Sequence, residues 1–264
     1  MAETMSTSSQ PPILTADSLT KSFGGFRAVN DISLTLGARE ILGVIGPNGA
    51  GKSTLFNLLA GAIPLDAGRI GLDGVDLSHA RPEARIRAGL GRTFQIPRPF
   101  ARMTVLENVM ASAQGQRGER LLPALIAPRR VAEQERANAV RAREILDFVA
   151  LSHLEDQPAS VLSGGQRKLL ELARVLMAEP RVILLDEPAA GVNPALLDMI
   201  IDRIIAINQL GIAVLLIEHN MEMIARLCPR VIVMAAGKAL AEGAPSEVTK
   251  RADVIDVYLE GMPA

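Results

Sequence analysis

The residues with the clearest chemical potential form a glycine-rich loop that fits the pattern G-x-x-x-x-G-K-[ST]. The loop consists of Gly46, Pro47, Asn48, Gly49, Ala50, Gly51, Lys52, Ser53 and Thr54. Glycines let backbone N–H groups curl around an anion, and a helix N-terminus directly after them favours negative charge. In this pattern the lysine reaches the β- and γ-phosphates and the Ser53 hydroxyl ligates Mg²⁺. The loop therefore predicts nucleotide binding with Mg²⁺.

Two adjacent carboxylates follow an apolar run later in the chain. Residues 182–185 predict a buried strand, and Asp186 and Glu187 come directly after it. Ligands of α/β folds bind beyond the carboxyl ends of the strands. We expect Asp186 to hold Mg²⁺ through water and Glu187 to polarise an attacking water. Without the phosphate loop, the same pair would indicate only a loop or helix cap.

A second pair of glycines precedes another helical pattern. Ser163, Gly164, Gly165 and Gln166 follow Leu162, and residues 167–178 are predicted to form the helix. A serine hydroxyl and backbone donors at a helix N-terminus make a second candidate anion site. Alone, Ser-Gly-Gly is a weak signal for a capped helix, but here it lies shortly before Asp186.

Loops so far apart in the chain need a scaffold that brings them together, and the apolar runs predict one. Aliphatic runs of strand length alternate with helical patterns, which indicates a parallel sheet covered on both faces. Partial alternation nearer the N-terminus favours antiparallel strands exposed on one face. The predicted strands are 13–19, 29–36, 41–45, 69–72, 90–94, 182–185 and 213–217, and the predicted helices are 55–60, 131–150, 167–178 and 194–209. Gly61 is predicted to end the first helix. Residues 114–130 are predicted to be an irregular excursion, either a solvated loop or a contact surface.

Composition narrows the class of function. The chain of 264 residues has a net charge of −1, so nothing suggests that nucleic acid is its main ligand. Its single cysteine, Cys228, excludes an internal disulfide framework and is predicted to be a small buried side chain. The longest aliphatic runs are far shorter than the roughly 20 residues of a membrane span, so we expect no spanning segment.

The order of the three motifs resembles the ATP-binding subunit of an ATP-binding cassette (ABC) transporter. The resemblance extends from Ile13 to about Gly261 and implies roles for three further residues. Phe23 resembles the aromatic residue that stacks on adenine. Gln95 resembles the glutamine that touches Mg²⁺ and the attacking water, and His219 resembles the histidine that contacts the γ-phosphate.

The resemblance also implies how the chain is organised. Residues 1–12 are expected to be a disordered tail, and 13–264 a single ABC ATPase domain of the α/β class. Within it, 13–94 and 180–240 are assigned to an antiparallel β subdomain and a P-loop core of the RecA type. Residues 95–179 are assigned to an inserted α-helical subdomain and 241–264 to a C-terminal extension.

The resemblance further implies the following partners. Two such subunits pair head to tail, so that Ser163, Gly164 and Gly165 of one cover the γ-phosphate held by Lys52 of the other. The second subunit is a copy of this chain or a related one. Two membrane-spanning permease subunits complete the transporter, a solute-binding protein acts through them, and the ATPase lies on the cytoplasmic face of the membrane.

Several segments are most similar to the LivG-type ATPases of branched-chain amino acid importers. They include residues 92–95, 103–109, 217–221 and 241–243, and Asn193 stands where many cassettes have aspartate. Related systems for urea, amides, aromatic acids or lipopolysaccharide export stay open. Soluble cassettes acting on ribosomes normally carry two cassettes in one chain, and those acting on DNA carry coiled-coil or zinc insertions that are not visible here. A binding module without turnover is disfavoured by Glu187.

Overall fold

The computed structural model describes residues 11–93, 98–119 and 126–260. Its strands form two sheets, and helices pack against them. The strands are β1 Leu14–Phe23, β2 Phe26–Leu36, β3 Ile41–Ile45, β4 Ala67–Leu72, β5 Val75–Asp76, β6 Leu90–Arg92, β7 Val182–Asp186, β8 Ala213–Ile217, β9 Arg230–Ala235 and β10 Lys238–Gly243. The helices are α1 Lys52–Leu59, α2 Pro82–Arg87, α3 Val105–Met110, α4 Pro128–Phe148, α5 Gly164–Met177, α6 Pro194–Gln209, α7 Met221–Leu227, α8 Pro245–Val248 and α9 Ala252–Glu260.

The larger sheet positions the predicted site residues. Its strand order is β10-β9-β3-β8-β7-β6, and every pairing is parallel except that of β10 with β9. Strands β3, β7 and β8 are buried along their whole length, which explains their continuous aliphatic sequences. Since β3, β7 and β8 are neighbours and run parallel, the loops that follow them lie at one edge. The order therefore gathers the phosphate loop, Glu187 and His219.

The smaller sheet is antiparallel, with the order β2-β1-β4-β5. Strands β1 and β2 are joined by a two-residue turn at Gly24 and Gly25, and Gly24 adopts a φ of 58° that suits such a turn. Apolar residues of this sheet pack with α1 and with one face of the larger sheet, whose other face packs against α5 and α6. Strand β3 alternates between the two cores: Leu42 and Val44 face one, Ile41 and Ile45 the other.

Most predicted elements are present, with different ends. Strand β8 and helix α6 have their predicted bounds, and Gly61 follows α1 with a φ of 74°, as a helix-ending glycine should. Strand β1 is longer than predicted because the hairpin continues its pairing to Phe23. Helix α4 begins at Pro128 and ends at Phe148, earlier at both ends than predicted. The predicted strand 90–94 ends at Arg92, and residues 94–97 lie outside the described residues.

The inserted region between β6 and β7 is helical where the structure describes it. It contains α3, α4 and α5, with short 3₁₀ turns at Arg117–Glu119, Ser152–Leu154 and Ala159–Val161. The predicted irregular excursion includes the first of these turns and the start of α4, and its residues 120–125 lie outside the described residues. Within the described ranges, no helix has the combination of length and apolar character that crossing a bilayer requires.

Candidate functional site

The backbone of the phosphate loop packs closely against the backbone of two neighbouring strands, β9 and β2. A Cβ added to Gly46 would lie 2.2 Å from the carbonyl oxygen of Met234, and one added to Gly51 would lie 2.2 Å from that of Ala28. Both glycines also have positive φ values, 146° and 98°. Only glycine fits these two positions, because any other side chain would collide with β9 or β2. The loop is therefore held in shape by its two neighbouring strands.

Helix α1 begins directly inside this loop. Gly51 is its N-cap, no side chain caps it and its first turn carries no acidic residue. The start of a helix has N–H groups without intrahelical acceptors and a partial positive charge. The uncapped start of α1 can therefore bind an anion. At the other end, the buried Arg85 guanidinium donates to the carbonyls of Leu58 (2.7 Å) and Leu59 (2.6 Å). A cation thus stabilises the negative end of the same helix.

Lys52 is folded over the loop. Lys52 is 8% exposed, and its ammonium donates to the carbonyls of Gly46 (2.7 Å) and Pro47 (2.9 Å). Burial lowers the pKa of Lys52, while the nearby carboxylates of Glu187 and Asp186 raise it. Lys52, predicted to bind phosphate, thus lies near Asp186, predicted to hold Mg²⁺, and near Glu187, predicted to polarise water.

Asp186 is the last residue of β7 and is nearly buried. Burial raises its pKa, and a hydrogen bond from Arg92 lowers it. The Arg92 guanidinium lies 3.2 Å from Asp186 Oδ2 and also donates to Asn57 Oδ1 on α1, at 2.7 Å. Sequence reasoning missed Arg92, whose signal was only its place three residues before Gln95. It ties the strand that carries Asp186 to the phosphate-loop helix.

Glu187 and His219 approach each other from neighbouring strands. His219 Nδ1 lies 3.9 Å from Glu187 Oε1, and the His219 side chain is 64% exposed whereas that of Glu187 is 21% exposed. Glu187 has a φ of 48°, in the left-handed region that costs a non-glycine residue about 1 to 3 kcal/mol. Its N–H donates to the carbonyl of Ile217 at 3.0 Å, so β8 helps to hold this conformation.

Ser163 and its glycines form the start of α5, three residues earlier than predicted. The Ser163 hydroxyl accepts from the Gln166 N–H (3.3 Å), and the Gln166 side chain accepts from the Ser163 N–H (2.9 Å), a complete capping box. Ser163 and Gly164 are exposed, and a Cβ on Gly164 would meet nothing within 4 Å. Ser163 and Gly164 therefore face open space, whereas Gly165 packs against the side chain of Leu196.

Two exposed phenylalanines flank the turn between β1 and β2. Phe23 is 51% and Phe26 63% exposed, and they pair directly across the hairpin, so both rings lie on one face. Lys21 Nζ lies 5.7 Å from the centre of the Phe23 ring. Phe26 is two residues from Ala28, about 7 Å along a strand, and the carbonyl of Ala28 abuts Gly51. Phe26 was missed; its signal was a second aromatic residue beside Phe23.

Two of the three residues predicted to hold Mg²⁺ are described by the structure. Ser53 is exposed in the first turn of α1. Asp186 is the last residue of β7 and lies near Lys52. Gln95 lies outside the described residues. Across the described ranges, no three histidine, cysteine or acidic side chains converge as a metal cage would require. The hydroxyl and carboxylate oxygens suit Mg²⁺, which keeps waters and takes substrate phosphate oxygens as ligands.

Comparison with known proteins gives the family of the chain. The family model described as ABC transporter matches residues 29–190. The chain is 38% identical to the probable branched-chain amino acid transport ATP-binding protein LivG of Archaeoglobus fulgidus, covering 94% of this chain and 95% of that protein. It is 40% identical to the lipopolysaccharide export system ATP-binding protein LptB of Escherichia coli K12, covering 93% and 96%.

Solved structures give the same result for the fold. The structure of a nucleotide-free ATP-binding cassette from an ABC transporter superposes with a TM-score of 0.82 at 35% identity, covering 94% of this chain and 98% of that one. A cassette in its ADP conformation superposes with a TM-score of 0.81 at 34% identity, covering 95% and 99%.

Proposed function

The chain belongs to the family of ABC transporter ATP-binding proteins, and from this premise we propose that it powers an importer for branched-chain amino acids. The cargo is the proposed part; the family and its ATP hydrolysis are shown by the match across the motif region and by relatives along nearly the whole chain. Probable or named branched-chain amino acid transport proteins from three organisms, at 36 to 38% identity, support the cargo.

The proposed chemistry is hydrolysis of the terminal phosphate of ATP. The carrying observation is that Lys52, folded over the phosphate loop, and the carboxylates that end β7 lie at one edge of the parallel sheet beside an uncapped helix start, with Arg92 joining Asp186 to α1. Lys52 and the α1 N–H groups bind the phosphates, and Glu187 orients the attacking water with His219 beside it. Phe23 and Phe26 offer a stacking surface for adenine. Mg²⁺, held by Ser53, Asp186 and Gln95, would neutralise charge on the phosphates.

We propose a dimer in which each site is completed by a second subunit. The observation in support is that Ser163 and Gly164 lie exposed at the start of α5, so that another chain's phosphate can reach them. ATP would then stabilise the closed dimer and hydrolysis would release it. The second subunit is a copy of this chain or a paralogue.

The permease contact is proposed at residues 95–107, on the cytoplasmic side of the membrane. Next to the described part of this segment lies a groove lined by Ile86, Arg92, Ser112, Arg174 and Val175, and Arg174 contacts Arg98 and Phe100. Crosslinks from the permease that avoid both the segment and the groove would contradict this placement. The solute-binding protein acts through the permease and has no predicted contact with this chain.

The experiment that tests the hydrolytic assignment is the substitution Glu187→Gln. We expect turnover to fall by at least about a hundredfold, because the amide no longer polarises water, while ATP binding survives. The ATP-bound variant should elute at twice the monomer mass in size-exclusion chromatography. Glu222→Gln, which removes an exposed carboxylate on α7, is the matched control and should behave as wild type. Rapid hydrolysis by Glu187→Gln would remove Glu187 from this role.

One observation favours a second cargo. The relatives named as lipopolysaccharide export ATPases are 38 to 40% identical, as similar as those named for amino acid import. Uptake of labelled leucine, isoleucine and valine in cells with and without this subunit separates the two. Unchanged uptake together with a defect in lipopolysaccharide delivery would favour the export system.

A further inference from the structure

The four-residue turn after β7, residues 187–190, is held in an unusual way. Glu187 is in the left-handed backbone region with a φ of 48°, although it has a full side chain. Such a conformation persists only where the surroundings over-determine it. Its N–H donates to the carbonyl of Ile217, and its carbonyl accepts from the N–H of Ala190 at 3.1 Å. The rest of the support comes from two charged side chains that no motif assigned.

Lys168 supplies the first part of that support. It lies on α5, and its ammonium donates to three carbonyls of the turn: Glu187 at 3.2 Å, Pro188 at 2.9 Å and Ala190 at 2.6 Å. An ammonium has three protons to donate, so a single side chain can serve all three acceptors. The residue is half-buried, which strengthens these hydrogen bonds relative to an exposed site.

Glu218 supplies the second part. It follows β8 and is fully buried. Its Oε1 accepts from the N–H of Ala189 at 2.7 Å, and its Oε2 accepts from those of His219 and Asn220 at 2.9 and 3.0 Å. One carboxylate therefore fixes the turn after β7 and the turn after β8 against each other.

The two side chains have opposite charges and bind opposite kinds of backbone group. Lys168 donates to three carbonyls of the turn, and Glu218 accepts from the N–H of Ala189 in the same turn. Burial lowers the pKa of Lys168, and the negative charge of Glu218 raises it, so the two charges are close enough to interact. A buried polar network that is satisfied in this way specifies one backbone arrangement.

We propose that Lys168 and Glu218 are positioning residues that hold Glu187 and His219 in the geometry for hydrolysis. Lys168 also makes a direct connection between the helix that starts at Ser163 and the turn that carries Glu187. In the proposed dimer, Ser163 contacts the nucleotide of the partner while Glu187 acts on the chain's own nucleotide. Lys168 therefore links the two sites within one subunit. This inference rests on the proposed ATP hydrolysis.

The test uses Lys168→Met, Lys168→Arg and Glu218→Gln in the full chain. Lysine-to-methionine keeps the apolar part of the side chain and removes the ammonium with its donors; arginine restores donors in a different arrangement. Glutamine keeps one acceptor but cannot accept from all three N–H groups. The matched controls are Lys250→Met and Glu222→Gln, at exposed sites outside the turn. Three quantities are measured for each: the stoichiometry and affinity of a non-hydrolysable ATP analogue, ATP-induced dimerisation and kcat.

The expected pattern separates positioning from folding. Lys168→Met and Glu218→Gln should bind one analogue per chain with affinity within about twofold of wild type, and their kcat should fall by about tenfold or more. Lys168→Arg should recover to within about threefold of wild type, since the carbonyls regain a donor.

Any one of three results would overturn the inference. The first is a kcat within twofold of wild type for both Lys168→Met and Glu218→Gln. The second is a loss of binding stoichiometry that matches the loss of turnover, and the third is a kcat of Lys168→Arg as low as that of Lys168→Met. Glu218→Gln decides the question if Lys168→Met does not fold. An inactive wild-type protein would overturn the proposed function and this inference together, whereas variants as active as an active wild type overturn the inference alone.

Discussion

Helices α1 and α5 both have glycines at their starts, yet the two helix starts differ in nearly everything else. At α1, Gly51 is pressed against the carbonyl of Ala28, no side chain caps the helix and Lys52 is buried over the loop. At α5, Ser163 and Gln166 cap each other, and Gly164 is exposed with open space around it. The first start is enclosed by its own chain; the second is open.

This contrast shows that the neighbours, more than the glycines, decide what a helix start can bind. The α1 start offers a triphosphate N–H groups and a lysine from its own subunit, with the two carboxylates predicted to act on Mg²⁺ and water nearby. At the α5 start, Ser163 and Gln166 satisfy each other's backbone N–H groups. Among the contacts described, no lysine lies over this helix start as Lys52 does at α1. We therefore expect it to contact an anion that is bound mainly by other groups. A second subunit is the natural source in the proposed dimer.

The largest expected effect comes from exchanging one glycine at each start for alanine. Gly51→Ala places a methyl group against the Ala28 carbonyl at positive φ, so we expect about 3 kcal/mol of lost stability and at least about a hundredfold weaker ATP binding. Gly164→Ala meets nothing and should bind ATP as wild type does. Calorimetric titration with ATP and thermal unfolding measure both. Equal losses in the two variants would break the comparison.

An intermediate effect is expected from Ser163→Ala. Loss of the cap should lower the free energy of unfolding by about 1 kcal/mol. Binding of the chain's own nucleotide should stay unchanged, whereas turnover should fall by about tenfold because the proposed dimer loses a hydroxyl at the partner's phosphate. Ser152→Ala, a serine in a 3₁₀ turn of the same inserted region, is a control for serine removal. A change in binding affinity for Ser163→Ala would show that this helix start belongs to the chain's own site.

The smallest effect concerns the aromatic pair beside the first start. Phe23→Ala and Phe26→Ala should each weaken ATP binding by about fivefold, since stacking of one ring contributes about 1 kcal/mol. Tripolyphosphate binding should not change, because it has no base to stack. Val75→Ala, at an exposed position of the same sheet, is the control. If neither phenylalanine matters, the base lies elsewhere and the comparison rests on the phosphates alone.

The sequence was most informative where one physical cause acts alone. Strand β8 is continuously buried, and α6 begins with an Asn193 cap and Pro194, so both have their predicted bounds. Helix α5 was predicted to start too late because Gly164 and Gly165 resemble loop residues until the capping box is seen. Strand β1 was predicted too short because its last residues are ordered by cross-strand pairing, which a single segment does not reveal.

Three of the site residues that were missed share a reason. Lys168 acts on backbone atoms at least 19 positions away, Glu218 joins its own neighbours to an N–H 29 positions away, and Arg92 acts on a carboxylate 94 positions away. No rule of residue spacing predicts such contacts, since they arise from the packing of β6, β7, β8 and α5. A faint signal existed for Glu218, a carboxylate at the end of an otherwise aliphatic strand. The motif residues were predictable because their chemistry depends on local spacing.

The position of β3 in the larger sheet has a consequence for how the protein is made. The strand that leads into the phosphate loop is synthesised early, but its two neighbours in the sheet, β8 and β9, come from the last quarter of the chain. At ribosomal rates of roughly 5 to 20 residues per second, β3 waits on the order of 10 to 40 s for them. Until then neither Met234 nor Glu187 is in place, so a nascent chain carries the phosphate-loop sequence without a working site. Chain synthesis itself thus delays ATP turnover until the cassette is nearly complete.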